Sequence, residues 1–138
     1  MDEQDQMIHQ LYQTTRAISK GLNQRLEPAG IYTSEWTILK ILKEQEALTQ
    51  IALANYLNVE PAAISKTLVK LEKKELVVRQ VGQDKREKII SLTAKAQESY
   101  EMWQQIVGEH RRQFLQDISA EQLTLMRRLL QTMAKHAK

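Results

Sequence analysis

The sequence contains no cysteine. That excludes a disulfide framework, a thiolate zinc site and a thiol redox switch. The four glycines stand far apart and form no glycine-rich loop of the kind that cradles a phosphate. There are two prolines, Pro28 and Pro61, and no low-complexity tract, internal repeat or long linker. No apolar run approaches the roughly 20 residues needed to cross a bilayer. The three histidines, His9, His110 and His136, lie far apart in sequence, and no Ser-His-Asp arrangement is defensible. Neither an enzyme nor a resident cofactor or metal is expected. The opening Met1-Asp-Glu-Gln-Asp5 is acidic and polar, unlike a signal peptide, so the expectation is a soluble cytoplasmic protein with no membrane partner.

At 138 residues the chain is long enough for one domain with an ordinary core. Its net charge of +3 is unevenly placed. Residues 60–95 carry nine Lys or Arg against five Asp or Glu, a net of +4; residues 1–59 carry five against seven, and residues 96–138 six against five. The positive excess thus falls on one segment, as a phosphate-facing surface requires, although a solvated basic face has the same composition.

Apolar residues recur at three- and four-residue steps from Glu3 to Leu26, which predicts a first helix, broken by Pro28 and Gly30. A second helix starts near an N-capping Thr33 and turns Trp36, Leu39 and Leu42, or Ile38 and Ile41, inward. Thr49 caps a third helix ending about Tyr56 or Leu57. Pro61 suits the first position of a fourth, which runs to about Lys74. The period then becomes strand-like: Val77, Val78 and Val81 face Ile89 and Ile90 across a turn at Gly82-Gln-Asp84. Thr93 caps a fifth helix, and Ser119-Ala-Glu-Gln122 is a capping box that opens a sixth.

The third and fourth helices form a helix-turn-helix. Leu53 and Leu57 face the core, and small Ala54 allows a close crossing. Asn58 supplies the left-handed residue of the turn in place of glycine, and Val59 is expected to plug the core. Ile64, Leu68 and Leu71 form the buried stripe of the fourth helix. Its other face offers Pro61, Ala62, Ser65, Lys66, Thr67 and Lys70, groups suited to base edges and phosphates. The hairpin tip adds Asp84, Lys85, Arg86 and Lys88. An arginine there fits the minor groove, and Asp84 either orients its guanidinium or merely favours the turn. The reading is a protein whose partner is double-stranded DNA; the alternative is a winged-helix module that uses this surface for protein.

The elements Leu48-Thr-Gln50 through Leu53-Ala54, then Leu71-Glu-Lys73, Asp84-Lys-Arg86 and Leu92-Thr93, resemble the multiple-antibiotic-resistance regulator (MarR) family over essentially the whole chain. The resemblance implies a mainly α fold with a small β-hairpin, a winged helix-turn-helix with long N- and C-terminal dimerisation helices. It implies one domain over residues 1–138, with dimerisation helices in 1–30 and 94–138 and a DNA-binding head over 33–92. Implied too are a homodimer on a pseudo-palindromic operator, a repressor's role, and release by a small ligand, or constitutive repression without one. Two positions depart from the family. Glu75 stands where glycine usually follows the recognition helix, leaving open whether that helix ends in a left-handed cap, and Ala96 stands where glycine is also frequent.

Apolar residues at both ends, Ile8, Leu11, Ile18, Phe114, Leu123, Leu130 and Met133, are expected to form the dimer interface. Tyr12, Trp36 and Trp103 could line an effector pocket or simply pack. By the resemblance the effector is a small aromatic anion.

Overall fold

Asp2 opens the first helix by accepting the Asp5 N–H at 2.8 Å, while the Asp5 carboxylate reaches back to the Asp2 N–H. The computed structural model describes residues 1–138. Its elements are α1 (Glu3–Leu26), α2 (Thr33–Gln45), β1 (Ala47–Thr49), α3 (Gln50–Leu57), α4 (Ser65–Lys73), β2 (Val77–Val81), β3 (Lys88–Leu92), α5 (Ala94–Phe114) and α6 (Ala120–His136). Short 3₁₀ turns cover Glu27–Ala29 and Pro61–Ile64. The fold is mainly helical, with a small three-stranded antiparallel sheet and long terminal helices.

The chain divides into two compact units, residues 1–107 and 108–138. In the first, α2 is buried along most of its inner circumference: Trp36, Ile38, Leu39, Ile41 and Leu42 all lie in the core. Both apolar sets that the sequence offered are therefore inward. Leu22 and Leu26 of α1, Ile31 ahead of α2, Leu53 and Ala54 of α3, Ile64, Leu68 and Leu71 around α4, Leu76, Val77 and Ile90 of the sheet region, and Ala96, Tyr100, Trp103 and Val107 of α5 complete this core. Trp36 and Tyr100 pack with ring centroids 5.2 Å apart, and the Trp103 indole N–H donates to the Ala29 carbonyl at 3.3 Å. Burial, followed by the nearby Glu44 carboxylate, raises the Tyr100 phenol above its ordinary 10.0.

The hairpin is part of a larger sheet. Strand order is β1-β3-β2, with Leu48 opposite Ile90 on one side of β3 and Arg79 opposite Ile90 on the other. Thr49 serves two elements: it pairs with Ile89 as the last residue of β1, and its hydroxyl accepts the Ala52 N–H at 3.1 Å as the N-cap of α3.

Residues of positive φ follow several helix ends, among them those of α4, α3 and the first 3₁₀ turn. After α4, Leu76 N–H bonds the Leu71 carbonyl and Glu75 N–H the Glu72 carbonyl, both at 2.9 Å. Those are the two bonds of a Schellman cap. Glu75 occupies its left-handed position at φ 61°, so the departure from glycine leaves the usual cap in place. Leu76 and Leu71, both buried, supply the hydrophobic contact that accompanies it. After α3, Val59 N–H bonds the Ala54 carbonyl, and Asn58 sits at φ 57° as expected. Gly30, at φ 88°, does the same after the 3₁₀ turn.

Two local expectations are corrected. Thr33 is not the N-cap of α2 but its first residue; Tyr32, in extended conformation, precedes it. The orphan N–H groups there are met differently, Thr33 by Asn23 Oδ1 of α1 at 2.7 Å and Tyr32 by Glu35 Oε1 at 2.8 Å. Val59 does not plug the core and is 42% exposed. Its partner across the cap is Ala54, whose single methyl offers little apolar surface to hold it.

In the second unit, Ser119 accepts the Gln122 N–H at 3.1 Å and Gln122 Oε1 accepts the Ser119 N–H at 2.9 Å, the anticipated capping box of α6. His110 is buried and lies edge-on to Phe114, centroids 4.9 Å apart. No residue of α6 is buried, although Leu123, Leu125, Met126, Leu129 and Leu130 lie along it.

Candidate nucleic-acid interface

Helix α4 is amphipathic because Leu68 and Leu71 are fixed in the core, with Ile64 just ahead of them. That leaves Ala62, Lys66 and Lys70 exposed and Pro61, Ser65 and Thr67 half-buried on the outer side. Pro61 and Ala62 lie in the 3₁₀ turn, and α4 itself begins at Ser65. The whole expected set thus falls on one continuous turn-and-helix segment.

Asp84, Lys85, Arg86 and Lys88 are all exposed at the tip of the β2–β3 hairpin. The tip closes through Gly82 N–H to Glu87 O and Glu87 N–H to Asp84 O, each 2.9 Å. Asp84 does two things there. Its Oδ1 accepts the Arg86 backbone N–H at 3.0 Å and faces the Arg86 Nε at 3.5 Å. The first contact shapes the turn; the second restrains a guanidinium whose side chain is otherwise 92% exposed.

The sequence did not reveal the polar groups that set the helix and the wing against each other. Gln50, the first residue of α3, donates through Nε2 to the Pro61 carbonyl and to Ser65 Oγ, both at 2.9 Å. Its Oε1 accepts from Arg79 Nη1 at 3.4 Å, and Arg79 Nε lies 2.7 Å from Glu72 Oε1, an ion pair without hydrogen-bond alignment. At the other end of α4, Lys74 Nζ reaches Glu35 Oε1 at 2.7 Å and lies 4.9 Å from the centre of the Tyr32 ring. Glu35 is 1% exposed, and its Oε2 has no partner. The Thr93 hydroxyl donates to the Glu75 carbonyl at 2.7 Å, and Lys95 Nζ donates to the Lys74 carbonyl at 3.0 Å. A signal for Gln50 existed in the Thr-Gln pair at the helix start. None existed for Glu35, which reads as a first-turn surface acid.

The proposed effector trio is not gathered at one surface. Trp36 and Trp103 are core residues, whereas Tyr12 is 60% exposed on α1. Of the expected interface residues, Ile8, Phe114, Leu123 and Leu130 are exposed, while Leu11, Ile18 and Met133 are half-buried. No group of three or more His, Asp or Glu is placed to hold a metal ion. No helix is long and apolar enough to cross a membrane.

Known proteins share both the sequence and the arrangement. The MarR family pattern matches residues 31–88, the stretch from the start of α2 to the wing. An uncharacterised helix-turn-helix-type transcriptional regulator of Bacillus subtilis, YwoH, is 42% identical over 95 residues, covering 69% of each chain. Among solved structures, AbsC of Streptomyces coelicolor, a MarR family transcriptional regulator, superposes with TM-score 0.88 at 22% identity, covering 99% of this chain and 96% of its own. A MarR variant of E. coli complexed with operator DNA gives TM-score 0.86 at 22% identity, covering 96% and 99%. Sequence match, cap-closed helix-turn-helix and basic wing agree, and the chain belongs to the MarR family of winged-helix transcriptional regulators, a non-enzymatic family.

Proposed function

We propose that this chain is a sequence-specific regulator that binds double-stranded operator DNA as a homodimer and represses transcription. The observation that carries the reading is the joint exposure of Lys66 and Lys70 on α4 and of Lys85, Arg86 and Lys88 at the wing tip, with Arg86 restrained by Asp84. An α-helix fits the major groove, and a basic ribbon beside it reaches the backbone or the minor groove, where the potential is most negative. Pro61, Ala62, Ser65 and Thr67 are the groups that approach base edges and phosphates. The relative of known structure in complex with operator DNA supports the same use of the fold.

The homodimer is supported by unpartnered apolar surface. Ile8 on α1 is 46% exposed, and Leu123, Leu125, Met126, Leu129 and Leu130 on α6 are 38–57% exposed. Along α6 alone, such a run of exposed apolar side chains is a liability for a monomer. In a two-fold dimer the two α4 helices enter successive major grooves, roughly 34–36 Å apart, which calls for a pseudo-palindromic operator. For regulation, the core packing of Trp36 and Trp103 speaks against these two rings as an effector's direct contacts, and constitutive repression is the reading to be tested against release by a small aromatic anion.

The test begins with selection of binding sites from random duplexes, followed by gel-shift titration and sedimentation velocity. The expected result is a preferred two-fold-related sequence bound by a dimer. No preference for any duplex would overturn the reading in favour of a protein-interaction module, and a monomer at micromolar concentration would overturn the dimer. Titration of the tryptophan fluorescence with small aromatic acids tests the effector: emission changes with DNA release would overturn the constitutive reading.

A further inference from the structure

Gln50 joins three elements at the point where the reading surface begins. Its amide orientation is fixed by chemistry at both ends. Arg79 can only donate, so it faces Gln50 Oε1; the Pro61 carbonyl can only accept, so it faces Nε2. The second Nε2 hydrogen then points at Ser65 Oγ, 2.9 Å away. Glu72 keeps Arg79 in place from the far side at 2.7 Å.

This arrangement limits what Ser65 can do. A free serine hydroxyl both donates and accepts, and it rotates to suit its partner. Here its oxygen already accepts from Gln50. Its own hydrogen has one partner inside the protein, the Pro61 carbonyl, at a long 3.4 Å, on an oxygen whose shorter bond is the 2.9 Å one from Gln50 Nε2. A good O–H···O bond is shorter, about 2.7–2.8 Å. The internal bond is therefore weak, and the hydrogen can turn from it to a better-placed outside acceptor, on a side chain that is half-buried and lies on the outer side of α4.

We propose that Gln50 is a positioning residue for DNA reading: by donating to the Ser65 oxygen, it presents Ser65 to the DNA as a hydrogen-bond donor. The matching acceptor is a phosphate oxygen or an acceptor on a base edge, such as a purine N7. This rests on the DNA-binding reading above.

The experiment is a double-mutant cycle on the full chain, with the operator duplex selected by the wild-type protein and a scrambled duplex of the same length. Ser65→Ala and Gln50→Ala each weaken operator binding about three- to tenfold, the loss of one ordinary hydrogen bond. The double variant is no weaker than Ser65→Ala alone, because Gln50 acts only through Ser65. Gln50→Glu keeps an acceptor for Arg79 but draws the Ser65 hydrogen inward; its loss on the operator also shrinks when Ser65 is already alanine. Melting temperatures measured alongside separate misfolding from misplacement. If Ser65→Ala weakens both duplexes equally, the acceptor is a phosphate; if it weakens only the operator, the acceptor is a base edge. Additive losses for Gln50→Ala and Ser65→Ala, or no loss from either, would overturn the proposal while leaving the DNA-binding reading intact. A wild-type chain that prefers no duplex would bring down both.

Discussion

Replacing Glu75 by glycine should stabilise the protein. Glu75 holds φ 61° at the left-handed position of the cap that closes α4. A residue with a Cβ pays about 1–2 kcal/mol to sit there, and glycine pays none. Glycine also gives the unfolded chain more freedom, which takes back about 0.4–1 kcal/mol. The side chain is exposed, and the two bonds that define the cap are backbone bonds, Leu76 N–H to Leu71 and Glu75 N–H to Glu72, while the Glu75 carbonyl also accepts from the Thr93 hydroxyl. Glycine keeps them all. The net gain is thus about 1 kcal/mol, which for a chain of 138 residues raises Tm by about 3–4 °C. One confounder is charge, because an acid near a helix C-terminus is itself unfavourable by a few tenths of a kcal/mol. Glu75→Ala separates the two: it removes the charge and keeps the Cβ, so it should gain far less. Differential scanning calorimetry of the three proteins decides. A fall in Tm for Glu75→Gly, or an equal rise for Glu75→Ala, would refute the strain argument.

Arg86→Ala should weaken operator binding by about 1–3 kcal/mol without shifting Tm, and Asp84→Ala should reproduce part of that loss by freeing the guanidinium; tighter binding by Asp84→Ala at every salt concentration would make Asp84 simply repulsive. Lys74→Met should destabilise by about 2 kcal/mol, because it strands the Glu35 carboxylate in the core, whereas the partly exposed Lys74 can rehydrate after Glu35→Gln, which should cost less; equal losses in urea unfolding would contradict this. The phenol of Tyr100 is held protonated by its surroundings, so stability should be fully present below pH 10.0 and decline as pH rises through the raised folded value. Tyr100→Phe should lessen that alkaline loss, and an unchanged pH profile would show that the burial has no such effect.

The helices were legible because each repeats one kind of surface at a fixed step. The caps at Thr49 and Ser119 and the left-handed Asn58 were legible because those residue types do one local job well. Strand β1 was not, since Ala47–Thr49 is too short to alternate and shares Thr49 with a helix cap. Glu35 was unreadable for another reason: its burial depends on Lys74, 39 residues away. Gln50 and Arg79 likewise act through partners 15 and 29 residues off. On the reading surface, the sequence pointed to the groups that face outward, such as Lys66, Lys70 and Arg86. It gave no sign of the groups behind them. Helix periodicity also could not tell whether Trp36 and Trp103 line a cavity or fill a core, because both uses need an inward-facing ring.

The central place of β3 gives the wing an uneven character along its length. Its root, Ile89–Ser91, is paired on both sides, to Ala47–Thr49 and to Val78–Gln80. The tip, residues 83–87, is held by two backbone bonds and the Asp84 contacts alone. Amide hydrogens at the root should therefore exchange slowly and those at the tip quickly. The same contrast bears on tolerance: a tip with no core role can change in length or charge without unfolding the protein, while the root that aims it is bound to the helix-turn-helix through Thr49. A lineage built on this scaffold can thus alter how far and how strongly its wing reaches without altering where it points.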